Sequence, residues 1–148
     1  TKNSAVFKSD EYTIYTRLIT GNYFPYQKMF TEGEINTCAS RTALIGAMTR
    51  AKMCTEEKQP AVFQIEDDVL NISIRDKLAD YQEQVPLQET VCKSIRLGFD
   101  SKLVLETLKA FTCDNIALGF TSPRTPMIVE AEDSDMKAMV LPVAIREA

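Results

Sequence analysis

The sequence predicts an α+β fold of duplicated βαβββ units, with two helices packed on one face of antiparallel sheets. Three observations predict it. Residues 94–120 read as a strand, a capped helix and a second strand. The same succession stands earlier, at residues 35–65. Two further strand-like runs follow each copy, at 70–74 and 80–87 in the first and at 127–129 and 137–143 in the second. A repeated order of this kind marks a duplicated supersecondary unit, and helices segregated to one side of antiparallel strands define the class.

Ahead of the duplication, Ala5-Val6-Phe7 and residues 12–19 read as two strands joined by the polar turn Lys8-Ser9-Asp10-Glu11. This hairpin stands outside the repeat and reads as the end of something larger. In Gly21-Asn22-Tyr23-Phe24-Pro25-Tyr26, glycine and proline bracket aromatics, so a linker packed down on the protein is expected. Residues 31–37 are polar, carry one glycine and read as a loop leading into the first unit.

In that unit Ser40 is the capping candidate for a helix over residues 41–54. Leu44, Ala47, Met48 and Ala51 recur at helical spacing, with Thr42, Gly46 and Thr49 roughly opposite. Alternation over 61–65, 70–74 and 80–87 predicts three strands. The second unit opens on Ile95, Leu97 and Phe99, with Asp100 and Ser101 as capping candidates. Val104, Leu105, Leu108 and Phe111 form its helical stripe, against Lys102, Glu106 and Lys109. Ile116, Leu118 and Phe120 then alternate with small residues, the period-two pattern of a half-buried strand. The endings Val85-Pro86-Leu87 and Leu141-Pro142-Val143 resemble each other.

Composition sets the bounds. A chain of 148 residues that is 45% hydrophobic can bury one core rather than two. The net charge of −4 argues against gripping nucleic acid by bulk electrostatics. Histidine is absent, which removes the commonest general base and metal ligand and with them the catalytic triads and most zinc sites. Cys38, Cys54, Cys92 and Cys113 are widely spaced, as for reduced thiols in a cytoplasmic protein. No run is long and apolar enough to cross a membrane and no signal peptide is visible. Glu66-Asp67-Asp68 and Glu132-Asp133-Ser134-Asp135 fall between strands, where turns favour Asp and Ser, and lack the spacing of a calcium loop. No glycine-rich phosphate loop or nucleophile motif is present, so neither a cofactor nor catalysis is expected.

Charge on the first helix is one-sided. It holds Arg41, Arg50 and Lys52 and no acid, either as a solvated face or as a surface that faces phosphate without gripping it. On the second helix Glu106 offsets Lys102 and Lys109.

Four stretches carry a resemblance. Residues 98–110, Gly-Phe-Asp-Ser-Lys-Leu-Val-Leu-Glu-Thr-Leu-Lys-Ala, resemble the second helix of the last domain of the bacterial sliding clamp, the beta subunit of DNA polymerase III. Arg17-Leu18-Ile19-Thr20-Gly21 with Phe24-Pro25-Tyr26, the helix end Arg50-Ala51-Lys52-Met53, and Met139-Val140-Leu141-Pro142-Val143 are similar in order and spacing. The resemblance spans essentially the whole chain. It implies a DNA-clamp fold, with residues 1–22 as the closing hairpin and linker of the preceding, middle domain and 23–148 as the C-terminal domain. The chain is then a fragment of a non-catalytic processivity factor, a homodimeric ring that encircles duplex DNA without reading its sequence.

Carried over position by position, the resemblance implies three surfaces. Arg41, Arg50, Lys52, Lys102 and Lys109 face DNA. Met53 and Cys54 lie at the subunit interface. Pro25, Lys28, Met29, Pro126, Met139, Val140, Leu141, Pro142 and Val143 form one wall of a groove that docks short glutamine-apolar motifs of the replicative polymerase, clamp loader and repair proteins. Methionine and valine suit such an adaptable pocket. Read from the residues alone, 139–143 is also an ordinary final strand. The chain departs from the family in having Ala144-Ile145 before Arg146 and a lysine at position 28, both where arginine is frequent, and in following the aromatic-proline pair directly with Tyr26. Two alternatives stay open: a stand-alone peptide-binding module with no DNA role, and a small enzyme with a carboxylate site, which would need a pocket of converging acids with raised pKa.

Overall fold

The computed structural model describes residues 3–54, 59–75, 80–131 and 134–145. The hairpin is present as β1 (Ser4–Lys8) and β2 (Thr13–Arg17), antiparallel and forming a sheet of their own. A short 3-10 turn, Tyr26–Met29, follows. The duplicated part then runs β3 (Ile35–Ser40), α1 (Arg41–Met53), β4 (Ala61–Arg75), β5 (Asp80–Phe99), α2 (Ser101–Ala110), β6 (Asn115–Phe120), β7 (Met127–Ala131) and β8 (Ser134–Val140). Its strands form one sheet in the order β4-β5-β3-β6-β7-β8.

Both helices start where the capping chemistry places them. Ser40 Oγ accepts from the Ala43 amide at 3.4 Å. Asp100 Oδ1 accepts from Lys102 and Leu103 at 2.8 and 3.2 Å, so the aspartate is the cap and Ser101 is buried as the first helical residue. The expected stripes, Leu44-Ala47-Met48-Ala51 and Val104-Leu105-Leu108, are buried. The helices lie against each other. Behind them a single core gathers the inward positions of the strands, including the edge-on ring pair Phe63 and Phe99 with centroids 5.2 Å apart.

The duplication is written into the pairing. The first strand of unit one, β3, pairs with the second strand of unit two, β6, from Ile35↔Phe120 to Ser40↔Asn115. The first strand of unit two, the end of β5, pairs with the second strand of unit one, the start of β4, from Ala61↔Phe99 to Ile65↔Ile95. Each unit then closes on itself at one point: Ala39 meets Leu87 in the first, Gly98 meets Val143 in the second. Those closures use the two similar endings noted in the sequence.

The structure corrects three expectations. Glu66-Asp67-Asp68 is no turn between two strands: β4 runs through it as a bulge, with register shifts on both sides of Asp67 and a φ of 52° there. β5 opposite is also continuous, so the extra residue is taken up locally, and aspartate tolerates the left-handed region. The expected last strand stops at Val140, three residues early, because Pro142 has no amide to continue the ladder. The linker is not packed down: Tyr23 is 85% and Phe24 62% exposed. Its rings instead meet one another, Tyr23 edge-on to Tyr26 and Tyr26 edge-on to Phe30. Of the second acidic run, Ser134 and Asp135 open β8, while Glu132 and Asp133, like Arg146, lie outside the described residues.

Candidate functional site

Antiparallel pairing of β7 with β8 fixes the C-terminal part of the expected groove. Ile128 stands opposite Met139 and Met127 opposite Val140. Neighbouring residues of a strand point to opposite faces. Val140, 3% exposed, therefore belongs to the core, whereas Met139, half-buried, sits beside Ile128, 7% exposed, on the opposite face of the sheet. Pro126, half-buried, immediately precedes Met127 and so comes beside Leu141, which is 57% exposed. Pro142 is half-buried, and Val143 donates its amide to the Gly98 carbonyl at 2.8 Å. Pro25 and Lys28 are exposed, with Met29 half-buried, around the 3-10 turn. The segment leaving that turn is tied to the end of β6, where Thr121 Oγ1 donates to the Glu32 carbonyl at 3.5 Å.

The outer face holds a feature the sequence did not single out. A surface depression of about 330 Å³ is lined by Thr31, Gly33, Asn36, Gly119, Ile128 and Lys137, among others. Its floor is open because β6 puts Ala117 and Gly119 outward, and Gly33 lies so close that a methyl group there would come within 2.8 Å of the Phe120 amide nitrogen. The Lys137–Glu130 ion pair, 2.8 Å, forms its rim. The small residues alternating along β6 were the one sequence signal for it.

The expected DNA-facing cations divide. Arg41 is half-buried, and its Nε donates to the Cys113 carbonyl at 2.6 Å, tying the start of α1 to the turn before β6. Arg50 is held by Glu83 of β5 in a two-pronged pair, Nε to Oε2 at 2.8 Å and Nη2 to Oε1 at 2.5 Å. Tyr81 completes this group by donating its hydroxyl to Glu83 and to the Ala47 carbonyl, the latter at 2.9 Å. Hydrogen bonds from Arg50 and Tyr81 hold the Glu83 carboxyl down at about 2. Burial first, then the bond to Glu83, pushes the Tyr81 phenol up to about 12. The Arg50 guanidinium, bonded to Glu83, is held still more firmly in its charged form. Lys52, Lys102 and Lys109 are exposed. Sequence reasoning missed Glu83 and Tyr81, although Gly46 in the middle of a helix was a signal that something approaches α1 closely.

At the other end of α1, Met53 is 81% exposed and Cys54 is half-buried as the C-cap, its amide donating to the Ala51 carbonyl at 3.1 Å. Among the described residues no three His, Cys, Asp or Glu side chains converge as metal ligands, and no helix is long and apolar enough to cross a membrane.

Two packed helices on a sheet whose units exchange strands constitute a DNA-clamp domain, and solved sliding clamps carry the same architecture. The DNA polymerase sliding clamp of Caulobacter crescentus superposes with a TM-score of 0.90 at 13% identity, over 98% of this chain and 40% of that one. The sliding clamp of Pseudomonas aeruginosa gives 0.87 at 19% identity, over 98% and 40%. In sequence, the beta sliding clamp of Staphylococcus aureus is 25% identical over 146 residues, 95% of this chain and 39% of the relative. Residues 29–144 match the family described as DNA polymerase III beta subunit, C-terminal domain, and the chain belongs to that family. It spans about two-fifths of the length of the relatives it matches.

Proposed function

We propose that the chain acts as the third domain of a ring-shaped, non-catalytic sliding clamp that tethers the replicative polymerase to duplex DNA in the bacterial cytoplasm. The observation that carries this reading is the family match over residues 29–144 on a domain whose two helices form one layer. In a head-to-tail homodimeric ring that layer faces DNA, and retention is topological. A mildly cationic wall suffices for that, so a net charge of −4 is no obstacle. Residues 1–22 are the closing hairpin and linker of the preceding domain, and the exposed Tyr23 and Phe24 lie where that domain covers them. Met53 and Cys54 contribute to the subunit contact.

Exposed Leu141, with half-buried Met139, Pro142 and Pro126 beside it, supports a docking role for this edge. Together with Pro25, Lys28, Met29 and Val143 it forms one wall of the groove for short motifs of polymerases, the clamp loader and repair proteins, Val140 backing that wall from the core. Burying two apolar peptide side chains contributes roughly 1.5–3 kcal/mol each. Ordering the peptide takes several kcal/mol back, so one wall alone binds on the order of 100 µM or weaker. Fluorescence polarisation with labelled Gln-Leu-Ser-Leu-Phe tests the groove. Saturable binding that Met139→Asp abolishes is the expected result. Equal binding by a folded Met139→Asp chain defeats the assignment.

A further inference from the structure

The end of α1 carries a cation that the fold has already used. The Arg50 side chain is 56% exposed, but it lies along the helix rather than pointing away from it. Its guanidinium folds back over Gly46, one turn earlier, so closely that a methyl group at Gly46 would lie 3.2 Å from Nη2 and 3.4 Å from Nη1. Any residue but glycine at that position crowds the arginine. From there the guanidinium meets Glu83 in the two-pronged pair, and Tyr81 anchors the far side of the carboxylate while bonding the α1 backbone at Ala47. Helix, side chain and strand form one fitted seat.

We infer that Gly46, Tyr81 and Glu83 form a seat that withholds Arg50 from the polyanion-facing surface of the helical layer. Arg50 is thereby a positioning residue that ties α1 to β5, and the cations of α2, Lys102 and Lys109, meet phosphate in its place. The inference rests on the DNA-facing reading of that layer. The physical reason is charge: a carboxylate engaged through both oxygens cancels the field of the arginine, and a two-pronged pair has little freedom to swing away. Arg41, spent on the Cys113 carbonyl, lies beyond this seat at the opposite end of the helix.

The test measures binding of a labelled short duplex across a range of salt, by fluorescence anisotropy, with the parent chain, Glu83→Gln and the double variant Arg50→Gln/Glu83→Gln. The double variant removes a pair with no net charge, so its affinity and salt slope match the parent. Glu83→Gln releases the arginine, binds several-fold tighter, and steepens the slope by about 0.9, one phosphate contact. A double variant that loses about 0.9 of slope means Arg50 touches phosphate in the parent and overturns the seat. So does Glu83→Gln binding no better than the parent. A variant-free readout stands beside these: the Arg50 Nε–H signal in nuclear magnetic resonance stays in place as duplex is added, while the Lys102 and Lys109 amides move. Movement of the Arg50 signal overturns the inference. Glu83→Gln that binds no duplex even at low salt also overturns the inference, whereas the DNA-facing reading, which rests on topological retention by a closed ring, does not fall with it.

Discussion

Gly98 and Val143 touch through their backbones: the Val143 amide donates to the Gly98 carbonyl at 2.8 Å, and a methyl group at Gly98 would stand 2.8 Å from the Val143 oxygen. The side chain of Ile145, 3.0 Å away, and Pro60, 3.2 Å, close the remaining space. One residue without a side chain thus lets the C-terminal segment cross the first strand of its own unit. The groove candidates Leu141, Pro142 and Val143 are held by that crossing.

Gly98→Ala should therefore destabilise the domain by about 1–3 kcal/mol, the range for overpacking a closed site, because the opposing atom is backbone and cannot rotate away. Urea denaturation measures it. Gly119→Ala is the comparison, since its nearest neighbour is the Asn36 side-chain oxygen at 3.1 Å. A loss at Gly98 no larger than at Gly119 means the tail gives way, and the crossing does not hold the groove.

The α2 cap gives a second stability prediction. Asp100 accepts two amide hydrogen bonds at 2.8 and 3.2 Å, Ser40 a single long one at 3.4 Å. Asp100→Ala should cost about 1–2 kcal/mol and Ser40→Ala less than 1 kcal/mol. Thermal melts of the two variants side by side check the order, and equal losses refute it.

Acid and alkali should act on the seat around Arg50 from opposite sides. The Glu83 carboxyl is lowered from 4.5 to about 2 in the fold, so its contribution is complete above about 4.5 and is lost as pH falls toward 2. The Tyr81 phenol is raised from 10.0 to about 12, so its contribution is complete below about 10 and is lost as pH rises through 12. Unfolding free energy measured against pH should show the acid limb flattened in Glu83→Gln and the alkaline limb flattened in Tyr81→Phe. A parent-like acid limb in Glu83→Gln assigns that loss to other carboxylates.

Legibility in the sequence followed the length scale of the interaction. Helix stripes and caps were readable because they depend on residues three or four apart, and Leu44, Met48 and Asp100 stand where that spacing puts them. The duplication is readable from its order; the similar endings at Leu87 and Val143 are visible too, but that each pairs back on its own unit is shown only by the structure. Asp67 misled because a bulge and a turn use the same residue types, and only the partner strand decides between them. Val140 and Met139 share one motif, yet alternation along β8 sends them to opposite faces, which the motif does not record. The pairing of Arg50 with Glu83 leaves no trace in the sequence, because the two lie 33 residues apart, where no local pattern reaches.

Gly46 offers the sharpest stability test of that long-range pair. Replacing a glycine inside a helix by alanine ordinarily stabilises by about 1 kcal/mol, since the backbone loses less freedom on folding. In the parent chain the added methyl presses on the Arg50 guanidinium at 3.2–3.4 Å and strains its pair with Glu83. The two effects oppose each other, so Gly46→Ala should change stability by less than about 0.5 kcal/mol in the parent. With Arg50→Gln already present the crowding is gone, and the same substitution should recover the full gain of about 1 kcal/mol. The difference between the two backgrounds is the coupling, read from a double-mutant cycle in urea. A full gain in both backgrounds means the arginine swings aside without loss, and Gly46 is then no part of a seat.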